Sequence, residues 1–310
     1  MKLGVALPTS GPFAGPAGIA RVAQEVERLG YDSVWTYERL LRPLVPVSMG
    51  GGPPQPVPEV YRLTYEPLET LSYVAALTTR VKLGTSIIDA LLHPAAVLAK
   101  RLATVDQLSG GRLVAGLGQG WMPQEFAAAA VPMSRIGRGM DEVVAAMRAC
   151  WGPDPVSYQG RFTQIAESEV NPKPAQAHVP ILLGAMSPGG VRRAARIADG
   201  LNPVAVSREI LLALADGYRA AVEAAGRDPA SVTVVARANV PLTAGDLGED
   251  RPYLGGSPRQ IAADLAGLDG TAVDHVLFST SGAGRREGSG TEGLEEELAL
   301  FAELIRLVRG

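Results

Sequence analysis

The stretch VKLGTSIIDALLHPAAVLAKRLATVDQLSGGRLVAGLG, residues 81–118, decides the fold. Val81–Ile88 is a short apolar run of strand length, Ala95–Leu108 repeats apolar residues at helical spacing, and Leu113–Gly118 is a second apolar run. Two buried-type strands joined by a helix run parallel, because only a long crossover connects parallel neighbours. The same alternation extends in both directions. Strand-like runs precede the stretch at Leu3–Leu7 and Ser33–Thr36 and follow it at Ile181–Gly184, Leu201–Val204, Val232–Val240 and His275–Phe278. Helical patterns lie between them at Ile19–Leu29, Glu66–Thr78, Met140–Cys150, Gly190–Ala198, Glu209–Ala225 and Pro258–Leu268, with Leu294–Val308 last. In Ile19–Leu29 the apolar positions are Ile19, Val22, Val26 and Leu29, and Gly30 ends the pattern as a C′ glycine does. Eight strands, each followed by a helix, predict an α/β fold of the (β/α)8 TIM-barrel type, with residues 1–310 as one domain. An open doubly wound sheet is the alternative.

Composition agrees with a large buried core. The 310 residues are 46% hydrophobic and 20% charged, too apolar for a disordered chain. With 29 Lys+Arg against 32 Asp+Glu there is no basic surplus for nucleic acid. One cysteine, Cys150, excludes an internal disulfide. His93, His178 and His275 stand too far apart for a zinc-ligand pattern, so no metal is expected. No run of about 18 apolar residues is present, and the first residues make a poor signal peptide. The expectation is a cytoplasmic protein without membrane contact.

Three insertions interrupt the alternation: Arg42–Tyr65 after the second strand, Trp151–Val179 after the fourth helix, and Ala244–Gly256 after the seventh strand. Within the second, Val156–Phe162 reads as a hairpin arm bent at Gly160. Segments that follow barrel strands lie on the C-terminal face, where active sites are built, so two of the three fall on the functional side.

Several short motifs also sit at strand ends. Gly116-Leu117-Gly118-Gln119-Gly120-Trp121 is not a dinucleotide fingerprint, since Trp121 occupies the third glycine position and Pro123 follows. It marks instead a strand end where backbone approaches something flat or bulky. Ala185-Met186-Ser187-Pro188-Gly189 resembles a nucleophile elbow, but Pro188 lacks the N–H that an oxyanion hole requires. Small residues before a helix, with Arg192 and Arg193 close in sequence, suit a phosphate site; an ordinary Ser-Pro helix cap is the simpler reading. Glu38 and Arg39 end the second strand, where catalytic or cofactor-holding groups belong in a barrel. His93 follows the third strand and is a candidate general acid.

Together, Leu83-Gly84-Thr85-Ser86-Ile87, His93-Pro94, Leu102-Ala103-Thr104-Val105-Asp106, Ser109-Gly110-Gly111-Arg112 and Gly116–Trp121 resemble the signature of the luciferase-like monooxygenase family. The resemblance is strongest to its actinobacterial branch dependent on coenzyme F420, a deazaflavin. Gly30–Trp35, Asn171-Pro172-Lys173-Pro174 and Ala194–Gly200 support it, and it weakens after about residue 240. The resemblance implies a luciferase-like barrel with F420, or alternatively FMN, at the C-terminal strand ends. It implies a bulge with a non-proline cis peptide at Ser86-Ile87 that presses on the cofactor ring. It places Gly184, Ala185, Met186 and Ser187 at the phosphate, and Gly118, Gly120 and Gln124 along the ring or its ribityl chain. Many relatives carry Asp-His where this chain has Glu38-Arg39. The sugar-phosphate dehydrogenase branch uses that histidine together with a glutamate at the position of Trp121, which argues against glucose-6-phosphate as substrate.

The resulting expectation is an F420-dependent oxidoreductase that transfers hydride to or from a small organic substrate. Glu38 would orient groups around the ring, with His93 or Tyr37 as proton donor. Arg39 would hold an anionic substrate or cofactor edge, and Tyr37 and Trp121 would line the substrate pocket. Two alternatives are an FMN-dependent monooxygenase served by a separate reductase, and a non-catalytic flavin or deazaflavin carrier. Relatives are commonly homodimers.

Overall fold

A computed structural model describes residues 1–48, 52–280 and 293–310, so residues 49–51 of the first insertion lie outside the described residues. In chain order the strands are β1 (Lys2–Ala6), β2 (Ser33–Thr36), β3 (Lys82–Thr85), β4 (Ile88–Asp89), β5 (Leu113–Gly118), β6 (Val156–Gln159), β7 (Gln164–Ser168), β8 (Ile181–Leu183), β9 (Gly200–Leu201), β10 (Thr233–Asn239) and β11 (His275–Ser279). The α-helices are α1 (Pro16–Leu29), α2 (Pro67–Ala75), α3 (Ala95–Leu108), α4 (Pro123–Ala128), α5 (Arg138–Trp151), α6 (Pro188–Ile197), α7 (Arg208–Ala224), α8 (Pro258–Ala266) and α9 (Leu294–Arg309).

Strands β1, β2, β3, β5, β8, β9, β10 and β11 pair in that order, all parallel, and β11 pairs back onto β1. The eight-stranded parallel barrel is therefore closed, as the alternation predicts. Strand alternation separates two apolar layers. Val34, Leu83, Leu113 and Ile181 join the large outer core beneath the helices, whereas Trp35, Leu182, Val235 and Leu277 meet inside the barrel. Trp35 pairs in register with Gly84, and a Cβ on Gly84 would lie 2.2 Å from the indole ring. The missing side chain on β3 is what admits the indole.

At the N-terminal end of the strands, Trp35 Nε1 donates to Ser33 Oγ at 2.6 Å, and Ser33 Oγ lies 3.0 Å from His275 Nε2. Burial in this floor pushes the His275 imidazole down to about 4.

Three departures from the sequence expectation have local causes. The predicted strand Val81–Ile88 is broken into β3 and β4, and the break falls at a cis peptide, Ser86–Ile87, where the family resemblance implies one. The predicted strand Leu201–Val204 shortens to β9 because Pro203 has no N–H; Val204 rejoins the sheet through a bridge to Arg237. The predicted arm Val156–Phe162 is a longer hairpin, β6 against β7, whose turn is closed by Gly160 N donating to Thr163 O at 2.9 Å. Helix α4 is too short for a periodicity to reveal. Among the described residues no helix is long and apolar enough to cross a membrane.

Candidate active site

At the C-terminal ends of the strands a cavity of about 290 Å³ is lined by segments from five strand ends: Ser86, Ile87 and Asp89; Gly118 to Trp121; Gly184 to Met186; Asn202 and Val204; and Arg237. This is the size range of a small-molecule or cofactor site.

The break after β3 shapes its centre. Ser86 N donates to Thr36 O at 2.7 Å, Ser86 Oγ donates to Asn202 Oδ1 at 2.6 Å, and Glu38 N donates to Ile87 O at 3.0 Å. Asn202 Nδ2 in turn donates to Val235 O at 2.6 Å, so the bulge is tied across the barrel. Ile87 enters a space that glycine leaves open. A Cβ on Gly118 would stand 2.2 Å from Ile87 Cδ1, and one on Gly184 would stand 3.3 Å from its Cγ2.

Arg237 projects from β10 into this cavity. Its Nε donates to Asn239 Oδ1 at 2.8 Å, Nη2 to Ser279 Oγ at 3.4 Å, and Nη1 to the carbonyl of Ser86. Its guanidinium carbon lies 5.1 Å from the Tyr37 ring centre. Burial lowers its pKa, yet among the described residues it has no carboxylate partner. A positive charge held by neutral acceptors at a cavity wall is suited to an anionic guest. The sequence reading passed over Arg237, since one arginine within an apolar strand has no motif around it.

The residues proposed as catalytic stand one layer back. Glu38 is buried, accepts from the Asp89 N–H at 2.7 Å, and its Oε1 lies 2.7 Å from His93 Nε2. Arg39 Nη1 is 2.7 Å from Glu125 Oε2, and Glu125 Oε1 accepts from Leu40 N at 2.9 Å. Arg39 also lies over the Tyr61 and Trp121 rings, 5.2 and 5.5 Å from their centres. Tyr37 OH bonds to Ser10 Oγ, and burial raises the phenol pKa. Of Glu38, Arg39, His93 and Tyr37, none lines the cavity, whereas Trp121 does. Gln124 on α4 is also outside its wall, with Oε1 buried and without a hydrogen-bond partner.

Asp89, another residue absent from the motifs, does line the cavity and is only 4% exposed. Burial, with Glu38 and then Glu125 adding negative charge, pushes its carboxyl up to about 7; the Arg39 charge and the Gly120 N–H offset part of this.

Ser86, Ile87, Gly118, Gly120, Gly184, Ala185 and Met186 all lie on the cavity wall. Ser187 caps α6, its Oγ accepting from Gly190 N at 3.2 Å. Beside it is a narrow extension lined by Gln119, Gly184, Ala185, Gly190 and Arg193. Arg193 is held by Asp141, 3.0 Å from its Nε. The arrangement unites a helix N-terminus, small residues and a guanidinium. The first insertion packs beside the Trp121 wall of the site: Val47 and Val57 meet Met122, and Leu41, Tyr61 and Trp121 surround them.

A closed parallel barrel whose cavity opens at the C-terminal strand ends, with a bulge after the third barrel strand, defines an enzyme of the TIM-barrel type. Residues 1–246 match the family model for luciferase-like monooxygenases, and the chain belongs to that family of oxidoreductases. An uncharacterised protein of Mycobacterium tuberculosis is 34% identical over 206 residues, 64% of this chain and 71% of that relative. The F420-dependent glucose-6-phosphate dehydrogenase of Kineococcus radiotolerans is 26% identical over 312 residues, 86% of this chain and 88% of the relative. Among solved structures, the monooxygenase RslO1 from Streptomyces bottropensis superposes with a TM-score of 0.76 at 25% identity, covering 98% of both chains. The F420-dependent tetrahydromethanopterin reductase of Methanopyrus kandleri superposes with a TM-score of 0.78 at 17% identity over 99% of both, a likeness of fold.

Proposed function

We propose that this chain is a coenzyme F420-dependent oxidoreductase that transfers hydride between the deazaflavin and a small organic substrate. The observation that carries a flavin-type cofactor is the Ile87 bulge, which enters the cavity where Gly118 and Gly184 leave no side chain. Such a wall suits a flat tricyclic ring, and the Arg237 charge suits its electron-rich pyrimidine edge. The relatives named as F420-dependent dehydrogenases favour the deazaflavin over FMN.

When bound, the cofactor supplies or accepts the hydride. The chain's own work is placement. Ile87 would prop one face of the ring, Arg237 would hold its pyrimidine edge, and the N-terminus of α6 with Ser187 and Arg193 would receive the phosphate. Arg39 and Trp121, the two replacements relative to the sugar-phosphate branch, stack on each other, and the Arg39 charge is already paired with Glu125. This end of the cavity therefore favours a flat or apolar substrate over a sugar phosphate.

The test is equilibrium binding of coenzyme F420 and, separately, of FMN, each followed by cofactor fluorescence. Tight F420 binding with weak FMN binding is expected. The reverse would overturn the reading and favour an FMN-dependent monooxygenase with a separate reductase, the direction in which the likeness to RslO1 points.

A further inference from the structure

The cavity holds one buried carboxyl that the placement of the cofactor leaves unused. Asp89 ends the two-residue strand β4, paired in register with Gly118. That pairing turns its side chain toward two positions without side chains. Its Oδ1 lies 3.4 Å from where a Gly118 Cβ would stand, and its Cγ lies 3.5 Å from the corresponding point on Gly120. Its backbone N–H is held by Glu38, so the residue is anchored, while its carboxyl takes the Gly120 N–H and has no ion-pair partner among the described residues. The nearest competitor for it, Arg39, is paired with Glu125.

The other donors considered for this site are engaged elsewhere. His93 Nε2 faces Glu38, and the Tyr37 hydroxyl bonds to Ser10, and neither residue reaches the cavity wall. The charged groups around Asp89 are Glu38 beyond β2, Glu125 on α4, and Arg39, with Arg237 from β10 on the same cavity. Burial, then the Glu38 and Glu125 carboxylates, favour the protonated form of Asp89, while the Arg39 guanidinium and the Gly120 N–H offset part of this.

We propose that Asp89 is the catalytic acid of this site, giving the proton that accompanies hydride transfer to the substrate. The proposal rests on the F420 reading and deepens it. In the reducing direction the substrate's electron-poor carbon takes hydride from the reduced cofactor, which is thereby oxidised by two electrons. Asp89 gives its Oδ proton to the atom at the other end of the reduced double bond. The O–H bond of Asp89 breaks, the carboxylate remains, and a proton drawn from bulk solvent, the one proton consumed with each hydride, restores the acid.

Two measurements test this. First, infrared difference spectra of the cofactor-free protein between pH 6 and pH 8 should show loss of a carboxylic acid C=O band that is missing from Asp89→Asn. The variant is needed because burial also raises the carboxyl of Glu66. Absence of an Asp89-dependent band at pH 6 would overturn the proposal without any cofactor present. Second, with reduced F420 and cyclohex-2-enone as acceptor, Asp89→Asn should lower kcat at least about 100-fold, the scale of a lost general acid. KM and F420 affinity should stay within about threefold, and the fall in rate above pH 7 should vanish. A variant that keeps kcat within threefold with the same pH profile would overturn the role of Asp89 alone. Failure of the unaltered protein to bind F420 would overturn the functional reading itself, and is seen before any variant is compared.

Discussion

Two buried titratable groups at opposite ends of the barrel should drive stability in opposite directions as the pH changes. His275, in the floor, is held down to about 4 from 6.5, so the unfolded chain binds its proton more readily than the fold does. Stability from His275 is intact above 6.5 and is lost as the pH falls toward 4. Asp89, at the cavity, is pushed up to about 7 from 3.8, so here the fold binds the proton more readily. Its contribution is present below 3.8 and is lost as the pH rises through 7. Linkage over the window from pH 7.5 to pH 5 gives a loss of about 2 kcal/mol from His275 and a gain of about 2–3 kcal/mol from Asp89. In the unaltered protein the two nearly cancel. In Asp89→Asn the His275 term stands alone, and the variant should lose about 2–3 kcal/mol more than the parent over that window. In His275→Gln the balance reverses, and over that window the variant should gain about 2 kcal/mol relative to the parent. Urea unfolding of the three proteins at pH 5, 6 and 7.5 reads both effects, and contributions of other carboxylates cancel in the comparison. Parallel stability profiles for all three would refute the reasoning.

Further outcomes follow from individual contacts. Glu125→Gln removes one member of an almost fully buried ion pair and strands the Arg39 charge, so urea unfolding at pH 7 should show a loss of about 3–5 kcal/mol. Gly118→Ala places a methyl 2.2 Å from Ile87 Cδ1 and displaces the Ile87 side chain; F420 affinity should fall at least about tenfold, with about 1–3 kcal/mol of stability lost, by fluorescence titration and urea unfolding. Arg237→Gln should weaken F420 binding about 10–100-fold, the worth of a charge-assisted hydrogen bond. Arg39→Gln, one layer back, should weaken it less, and equal losses would remove the distinction between the two arginines.

The barrel was legible because it is written in repetition. Each strand is a short apolar run, each crossover has an apolar stripe, and Gly30 ends α1 with φ 90°, in the left-handed region. What could not be read were the interruptions. The Val81–Ile88 run reads as one strand, and its pattern alone carries no mark of the break at Ser86–Ile87; the family resemblance supplies it. The short β9 was overextended because the run Leu201–Val204 is apolar enough for a strand, although Pro203 cannot donate to the ladder.

The site was less legible, for a reason visible in two pairs of residues. Glu38 and Arg39 attract notice because they are charged at a strand end, but a charge at a strand end is equally free to satisfy a neighbour. Here each has one at 2.7 Å, His93 and Glu125. Asp89 and Arg237 sit inside apolar stretches, Ser86–Leu92 and Val232–Val240, where a single charged residue looks like an irregularity of a core strand. Their meaning depends on which face of the barrel wall they occupy and on the lack, among the described residues, of an oppositely charged partner in an ion pair, and neither is encoded locally. Burying a carboxyl without a cation, and a guanidinium without a carboxylate, disfavours both charged forms. On the proposed reading, that pair of irregularities within one cavity would supply a proton at Asp89 and an anion-holding group at Arg237. Hydride transfer with a flavin-type cofactor calls for the same two provisions.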